Sequence, residues 1–232
     1  QINPKLQKYF KGFCYSAHII MVCLYMKFRF SLSYRDIEEL CQLRGLAIDH
    51  ATLQRWVIRF ASLLDGKFQS RKKAINGSWR MDETYIKVKG KWKYLYRAVD
   101  KYGATIDFLL RAQRDAQAAK SFFKKAMKQH GKPDKINVDK SGANKAALDS
   151  INQNYPENQQ IEIRQNKYLN NMIEQDHRFI KKRTRPTLGF KNFHSAKVTI
   201  MGIENIRMIQ KGQITGQTAS NTSFYNFANL MA

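Results

Sequence analysis

The spacing of apolar positions changes character close to Gly77. Before it, the period is helical. Ser33 can cap a helix, Asp36 stands three residues on, and Ile37, Leu40 and Cys41 share one face. Gly45 ends that helix as a C′ glycine. A short turn, Leu46-Ala47-Ile48, leads to Asp49 as a second N-cap. Leu53, Trp56, Val57, Phe60 and Leu63 then recur at i, i+3, i+4, i+7 and i+10, which predicts an amphipathic helix. Two helices joined by a short glycine-containing turn predict a helix-turn-helix, whose second helix enters a DNA major groove.

Beyond Gly77 the pattern alternates. Trp79 to Val88 predicts a strand with Ile86 and Val88 on one face and Tyr85, Lys87 and Lys89 on the other. Gly90-Lys91 suits a hairpin turn, and Lys93–Val99 and Thr105–Leu110 continue as strands. Asp115 caps a helix carrying Ala118, Ala119, Phe122, Phe123, Ala126 and Met127, which Gly131 and Pro133 stop. Ile136-Asn137-Val138 is a short strand running into Asp139. An alanine-rich helix (Ala143, Ala146, Ala147, Leu148, Ile151), a strand at 161–163 and a helix over 168–182 complete the series. The order β-β-β-α-β-α-β-α predicts an α/β, ribonuclease-H-like catalytic core, similar to that of retroviral integrases, behind an all-α helix-turn-helix domain. The expected boundaries are 1–70 for the helical DNA-binding domain, 71–76 for a basic linker, 77–213 for the catalytic core and 214–232 for a tail.

In that layout the first and fourth strands are neighbours. Asp82 and Asp139 are then adjacent, and Glu174 on the last helix can lean over them. Taken singly, each acid is an ordinary cap or surface group. Converged, the three can hold two magnesium ions, a hard cation's preference for oxygen ligands being met by carboxylates. Two such ions serve in-line displacement at phosphorus. There is no glycine-rich phosphate loop, and exchanging one phosphodiester for another needs none. Glu83 is expected on the opposite face of its strand, and Asp176 about 200° around its helix from Glu174. Asp100 and Asp107 read as turn and strand-edge residues. His177 is open to packing, DNA contact or a metal.

Charge narrows the partner. The chain has 41 Lys and Arg against 18 Asp and Glu, a net +23. The excess is not a tail, since residues 1–80 hold 14 basic and 5 acidic side chains. A folded chain this basic meets a polyanion, with nucleic acid favoured over an anionic membrane surface. Off the apolar face of the second helix stand His50, Thr52, Gln54, Arg55 and Arg59. Gln and Arg can read adenine and guanine edges, although the same residues also suit a solvated helix. Arg71, Lys72 and Lys73 are either phosphate contacts or a solvated linker. Trp92, Tyr94 and Tyr96 alternate on one strand face, which suits sheet packing or stacking on unpaired bases. Cys14, Cys23 and Cys41 form no C-x-x-C pair and suit a reducing compartment; Cys14 and His18 lack the second pair that zinc requires. The apolar run 13–26 is too short for a bilayer, and no signal peptide is expected.

The motifs go further than the pattern. Ser33-Tyr34-Arg35-Asp36, Arg55-Trp56-Val57, Met81-Asp82-Glu83-Thr84-Tyr85, Trp92 with Tyr94-Leu95-Tyr96-Arg97-Ala98, Asp139-Lys140, the run from Lys167 to His177, and Gly202-Ile203-Glu204 resemble a bacterial insertion-sequence transposase of the DDE type. The resemblance is to the insertion sequence six family, whose elements form cointegrates, and covers roughly residues 9–213. It implies catalytic and metal-binding roles for Asp82, Asp139 and Glu174. It also implies two magnesium ions (manganese can substitute), binding to terminal inverted repeats, cleavage and joining to target DNA. A basic residue seven positions after the glutamate, here Lys181, is implied to assist, and Arg178 joins it as a candidate DNA contact. By the same analogy the protein is a homo-oligomer, at least a dimer, and a cytoplasmic, nucleoid-associated one. Val138, Ser141-Gly142 and Leu53-Gln54 depart from the usual residues without removing a metal ligand. Two other classes compete: a transposase-derived protein that only binds DNA, and a nuclease that cuts without joining.

Overall fold

The computed structural model describes residues 8–140, 142–166, 171–186, 188–217 and 221–231. The chain forms two compact units. One is contiguous, Ala74–Lys181; the other joins Gln1–Lys73 to Lys182–Ala232.

The contiguous unit carries a five-stranded mixed sheet in the order β3-β2-β1-β4-β5. β1 (Ser78–Val88) and β2 (Lys91–Asp100) form a hairpin whose two loop residues, Lys89 and Gly90, both have positive φ, 50° and 73°. That is the signature of a two-residue turn matched to strand twist, and glycine takes it without strain. β3 (Thr105–Arg111) adds antiparallel to β2. β4 (Lys135–Val138) pairs parallel to β1, and β5 (Glu162–Gln165) parallel to β4. First and fourth strands are therefore neighbours, as the element order predicts, and the fold is ribonuclease-H-like.

α4 (Ala116–His130) and α5 (Gly142–Asn152) build one core with the sheet. Asp115 caps α4 through the Ala118 amide at 2.7 Å. Trp79, Met81 and Tyr96 from the strands meet Phe122, Phe123 and Leu148 from the helices, all at most 2% exposed. Each large side chain so buried contributes roughly 1.5–3 kcal/mol. Gly77 marks the sheet's entry for a steric reason: a Cβ there would overlap the Asp134 carboxylate. α6 (Asn171–Thr184) is tied to β2 by a buried ion pair, Arg97 Nη1 to Asp176 Oδ2 at 3.3 Å. Residues 167–170, part of the helix expected over 168–182, lie outside the described residues.

The second unit is helical. α1 (Ala17–Arg29), α2 (Tyr34–Gln42) and α3 (His50–Gln69) come from the N-terminal segment. Ser33 and Asp36 form a reciprocal capping box, and Asp49 caps α3 through the Thr52 amide at 2.6 Å. Gly45 closes α2 at φ 71°. The buried face of α3 runs through Leu53, Trp56, Val57, Phe60, Ala61, Leu64 and Phe68, so Leu64 rather than Leu63 takes the core position. Leu40, expected on the apolar face of α2, is 37% exposed. α7 (Phe193–Gln210) packs against α1 and α3, and α8 (Ser223–Ala228) against α1 and α7. α7 approaches α1 so closely that a Cβ on Gly202 would overlap the Phe28 ring.

Two of the expected boundaries do not coincide with these compact units. Residues 182–213, expected in the catalytic core, pack with the helical unit, the apolar surface of α7 being buried on α1 and α3. The segment 71–73 is not a free linker. Lys72 forms a β-bridge with Ile214, Lys73 N–H donates to Gln213 O at 3.0 Å, and Thr215 N–H donates to Arg71 O at 2.8 Å. Among the described residues no helix is long and apolar enough to cross a membrane.

Candidate active site

The sheet topology places the acids. The parallel register of β1 and β4 sets Arg80 beside Asn137, which brings Asp82 level with Asp139 just past the end of β4. α6 carries Glu174 in its first turn. Asp82 then belongs to two clusters. In one, oxygens of Asp82, Glu83 and Asp139 lie within 4.8 Å of one another; in the other, oxygens of Asp82 and Glu174 and a ring nitrogen of His177 do. Asp82 is common to both.

Crowding leaves its mark on Asp82. Burial, then the neighbouring charges of Glu83, Asp139 and Glu174, push its carboxyl up to about 7. A cation would relieve both penalties, and the donors are hard carboxylate oxygens of the kind magnesium and manganese take. The residues present therefore fit a divalent metal site.

Glu83 departs from expectation. Strand alternation starts it on the other face from Asp82, yet its carboxylate comes within 4.8 Å of both Asp82 and Asp139, the latter reaching past the end of its strand. Two partners hold the Glu83–Asp139 pair. Asn144 Nδ2 donates to Glu83 Oε2 at 3.2 Å and to Asp139 Oδ1 at 3.1 Å. Arg114 Nε donates to Glu83 Oε1 at 2.6 Å, and its Nη2 to Asp139 Oδ2 at 3.4 Å. Asn144 and Arg114 were not anticipated. Asn144 carried a signal: with Ala147, Leu148 and Ile151 it completes a buried i, i+3, i+4, i+7 stripe, where a polar residue needs partners.

His177 packs and also faces the carboxylates. It is 1% exposed, with Nδ1 3.5 Å from Glu174 Oε2 and 3.8 Å from Asp82 Oδ2. Burial, then the Arg97 and Lys181 charges, lower its pKa to about 3, so the ring is neutral at physiological pH. Asp176 points away from the cluster into its pair with Arg97. Asp100 organises the β2–β3 turn by accepting from the Tyr102 and Ala104 amides, and Asp107 accepts from the Phe108 amide and pairs with Lys125.

The expected DNA contacts fall into three groups. On α3, Thr52 accepts from Arg55 Nη2 at 2.7 Å, His50 Nδ1 lies 2.9 Å from Glu38 Oε2, and the Arg59 guanidinium sits 4.8 Å from the centre of the Phe13 ring. Gln54 is half-buried beside them. Arg71, Lys72 and Lys73 lie at the β-bridge with 213–215, where Arg71 Nη1 also donates to Asn229 O at 2.8 Å. Arg178 is 77% exposed on α6, and Lys181 stands one turn past His177.

Comparison with known proteins identifies the chain's relatives. A family profile described as a DDE domain matches residues 76–213. The chain is 41% identical over 204 residues to the transposase for insertion sequence-like element IS431mec of Staphylococcus aureus strain Mu50, covering 88% of this chain and 89% of that one. The transposase for IS257 in transposon Tn4003 of Staphylococcus aureus matches at the same identity and coverage. Among solved structures, the HTLV-2 integrase catalytic core in complex with magnesium (trimeric form) aligns at TM-score 0.48 and 19% identity, over 68% of this chain and 99% of that one. The catalytic core of BIV integrase aligns at 0.43 and 12%, over 66% and 95%. With a family profile over most of its length and close relatives along nearly all of it, the chain belongs to the insertion sequence six family of DDE transposases, enzymes that transfer polynucleotide strands.

Proposed function

We propose that the protein binds the terminal inverted repeats of its insertion sequence, cleaves there, and joins the exposed 3′-hydroxyl to target DNA. The observation that carries this reading is the position of Asp82, common to a cluster with Asp139 and a cluster with Glu174. Two divalent cations, magnesium or manganese, would supply Lewis-acid stabilisation of the attacking and leaving oxygens when held by Asp82, Asp139 and Glu174.

The remaining residues divide the supporting work. Asn144 and Arg114 fix the Asp139 carboxylate, and Asn144 does so from a fully buried position. The neutral His177 ring packs beside Asp82 and Glu174. Arg178 and Lys181 lie on α6 with Glu174 and suit contacts with backbone phosphates. On α3, Gln54 and Arg55 suit base edges, and His50, Thr52 and Arg59 suit the flanking backbone. Arg71, Lys72 and Lys73 add to the electrostatic footprint. Synapsis of two element ends calls for at least two copies of the chain.

The test is strand transfer in vitro with magnesium or manganese on a duplex bearing the element's own terminal repeat. The intact protein yields joined product and Glu174→Gln yields none, while both bind the end. Free 3′-ends without joining would identify a nuclease instead. End binding without any product from the intact protein would identify a binding-only descendant.

A further inference from the structure

The β1–β2 hairpin presents an aromatic face that the catalytic reading leaves unused. Along that face the sheet runs from covered to bare. Tyr96, opposite Glu83, is fully buried and stacked on Phe122 at 6.0 Å. The next pair, Tyr85 and Tyr94, lie across from each other at 5.4 Å, and Trp92 stands edge-on to Tyr85 at 6.3 Å. Tyr85 is 48% exposed and Trp92 is 60% exposed. The opposite face of the same strand is held firmly, with Ile86 and Val88 at 1% and 3%. The exposed aromatics thus sit on an ordered strand.

Their surroundings select the partner. Lys87, paired across the hairpin with Trp92, lies on the same face as the three rings, Lys89 stands in the adjoining turn, and no Asp or Glu occurs from Thr84 to Val99. A second copy of this chain, at +23, would bring the same lysines against them. A polyanion with apolar faces satisfies both features: phosphates meet the lysines and bases meet the rings. Bases in an intact duplex keep their faces inside the stack, so the fitting partner is an unpaired base. The platform also adjoins the carboxylates. Tyr85 is two residues from Glu83, a separation of about 7 Å along a strand. It is close enough to Arg114 to interact with it electrostatically, and Arg114 contacts Glu83 and Asp139.

We propose that Tyr85, Trp92 and Tyr94 form a stacking platform that holds an unpaired base of the DNA end next to the catalytic carboxylates. This rests on the reading of that cluster as the strand-transfer site.

The experiment compares binding of a single-stranded oligonucleotide and of its blunt duplex, in EDTA so that no chemistry occurs, for the intact protein, Trp92→Ala and Trp92→Phe. Trp92→Ala is expected to weaken single-strand binding about tenfold while duplex binding stays within about twofold, and Trp92→Phe to retain most of the affinity. Equal losses on both DNAs, or no loss on either, would overturn the platform. So would a change in sedimentation on Trp92→Ala with single-strand binding intact, which would assign the face to self-association. In a second arm, strand transfer by Trp92→Ala is expected to fall on a paired end and recover on an end whose terminal bases are mismatched. Absence of product from the intact protein would count against the catalytic reading, and the binding comparison in EDTA would still decide the platform.

Discussion

Replacing Asp82 by asparagine should stabilise the metal-free protein. The folded site raises the Asp82 carboxyl from 3.8 to about 7, first by burial and then through Glu83, Asp139 and Glu174. A carboxyl whose pKa is raised by folding favours the native state only in its neutral form. Stability is therefore full below the unfolded value near 4, falls as pH rises toward 7, and stays reduced above it. At about 1.4 kcal/mol per unit, a shift of about three units corresponds to about 4 kcal/mol as an upper bound. The side chain is 25% exposed, and solvent screening brings the expected penalty to about 2 kcal/mol. Asparagine keeps the shape and removes the charge. In EDTA at pH 8, Asp82→Asn should then unfold about 4–8 °C higher than the intact protein, and the gap should narrow at pH 5. Trp79, 2% exposed on β1 in the same unit, is a fluorescence reporter of that transition. Magnesium should reverse the order, stabilising the intact protein by mass action and the variant little. A variant no more stable than the intact protein at pH 8 would refute the argument that like charge is stored at this site.

Three further substitutions probe other parts of the architecture. Asp176→Ala leaves the Arg97 guanidinium buried without its carboxylate, and should cost about 3–5 kcal/mol in urea denaturation. Gly202→Ala drives a methyl into the Phe28 ring and should cost about 1–3 kcal/mol, read as a lower thermal midpoint. Lys181→Ala should weaken binding to different end sequences by similar factors and reduce the slope of log affinity against log salt by about 0.9; a sequence-selective loss would reject a phosphate contact.

Much of this was legible because local chemistry and global fold agree. Ser33, Asp49 and Asp115 each accept the amide hydrogen bonds that their positions predict. The strand order followed from the sequence of elements, and with it the meeting of Asp82 and Asp139. What was hidden depended on geometry beyond the strand. Alternation describes side chains within a sheet, whereas Asp139 leaves its strand and so meets Glu83 from the side. α7 was hidden for another reason. Twelve of its eighteen residues are buried, so it has little polar face to set a helical period. Its polar members Thr199, Glu204 and Asn205 are themselves inside, which further blurs the pattern.

Because the helical unit is assembled from Gln1–Lys73 and Lys182–Ala232, it cannot be completed in the order in which the chain is made. During translation the first three helices emerge with their apolar surfaces waiting for α7. The contiguous unit, Ala74–Lys181, can close in the meantime. A product broken off before Phe193 therefore lacks the surface on which α1 and α3 are buried, whatever the state of its carboxylates. Only a chain translated through α7 and on to α8 would carry a finished helical unit.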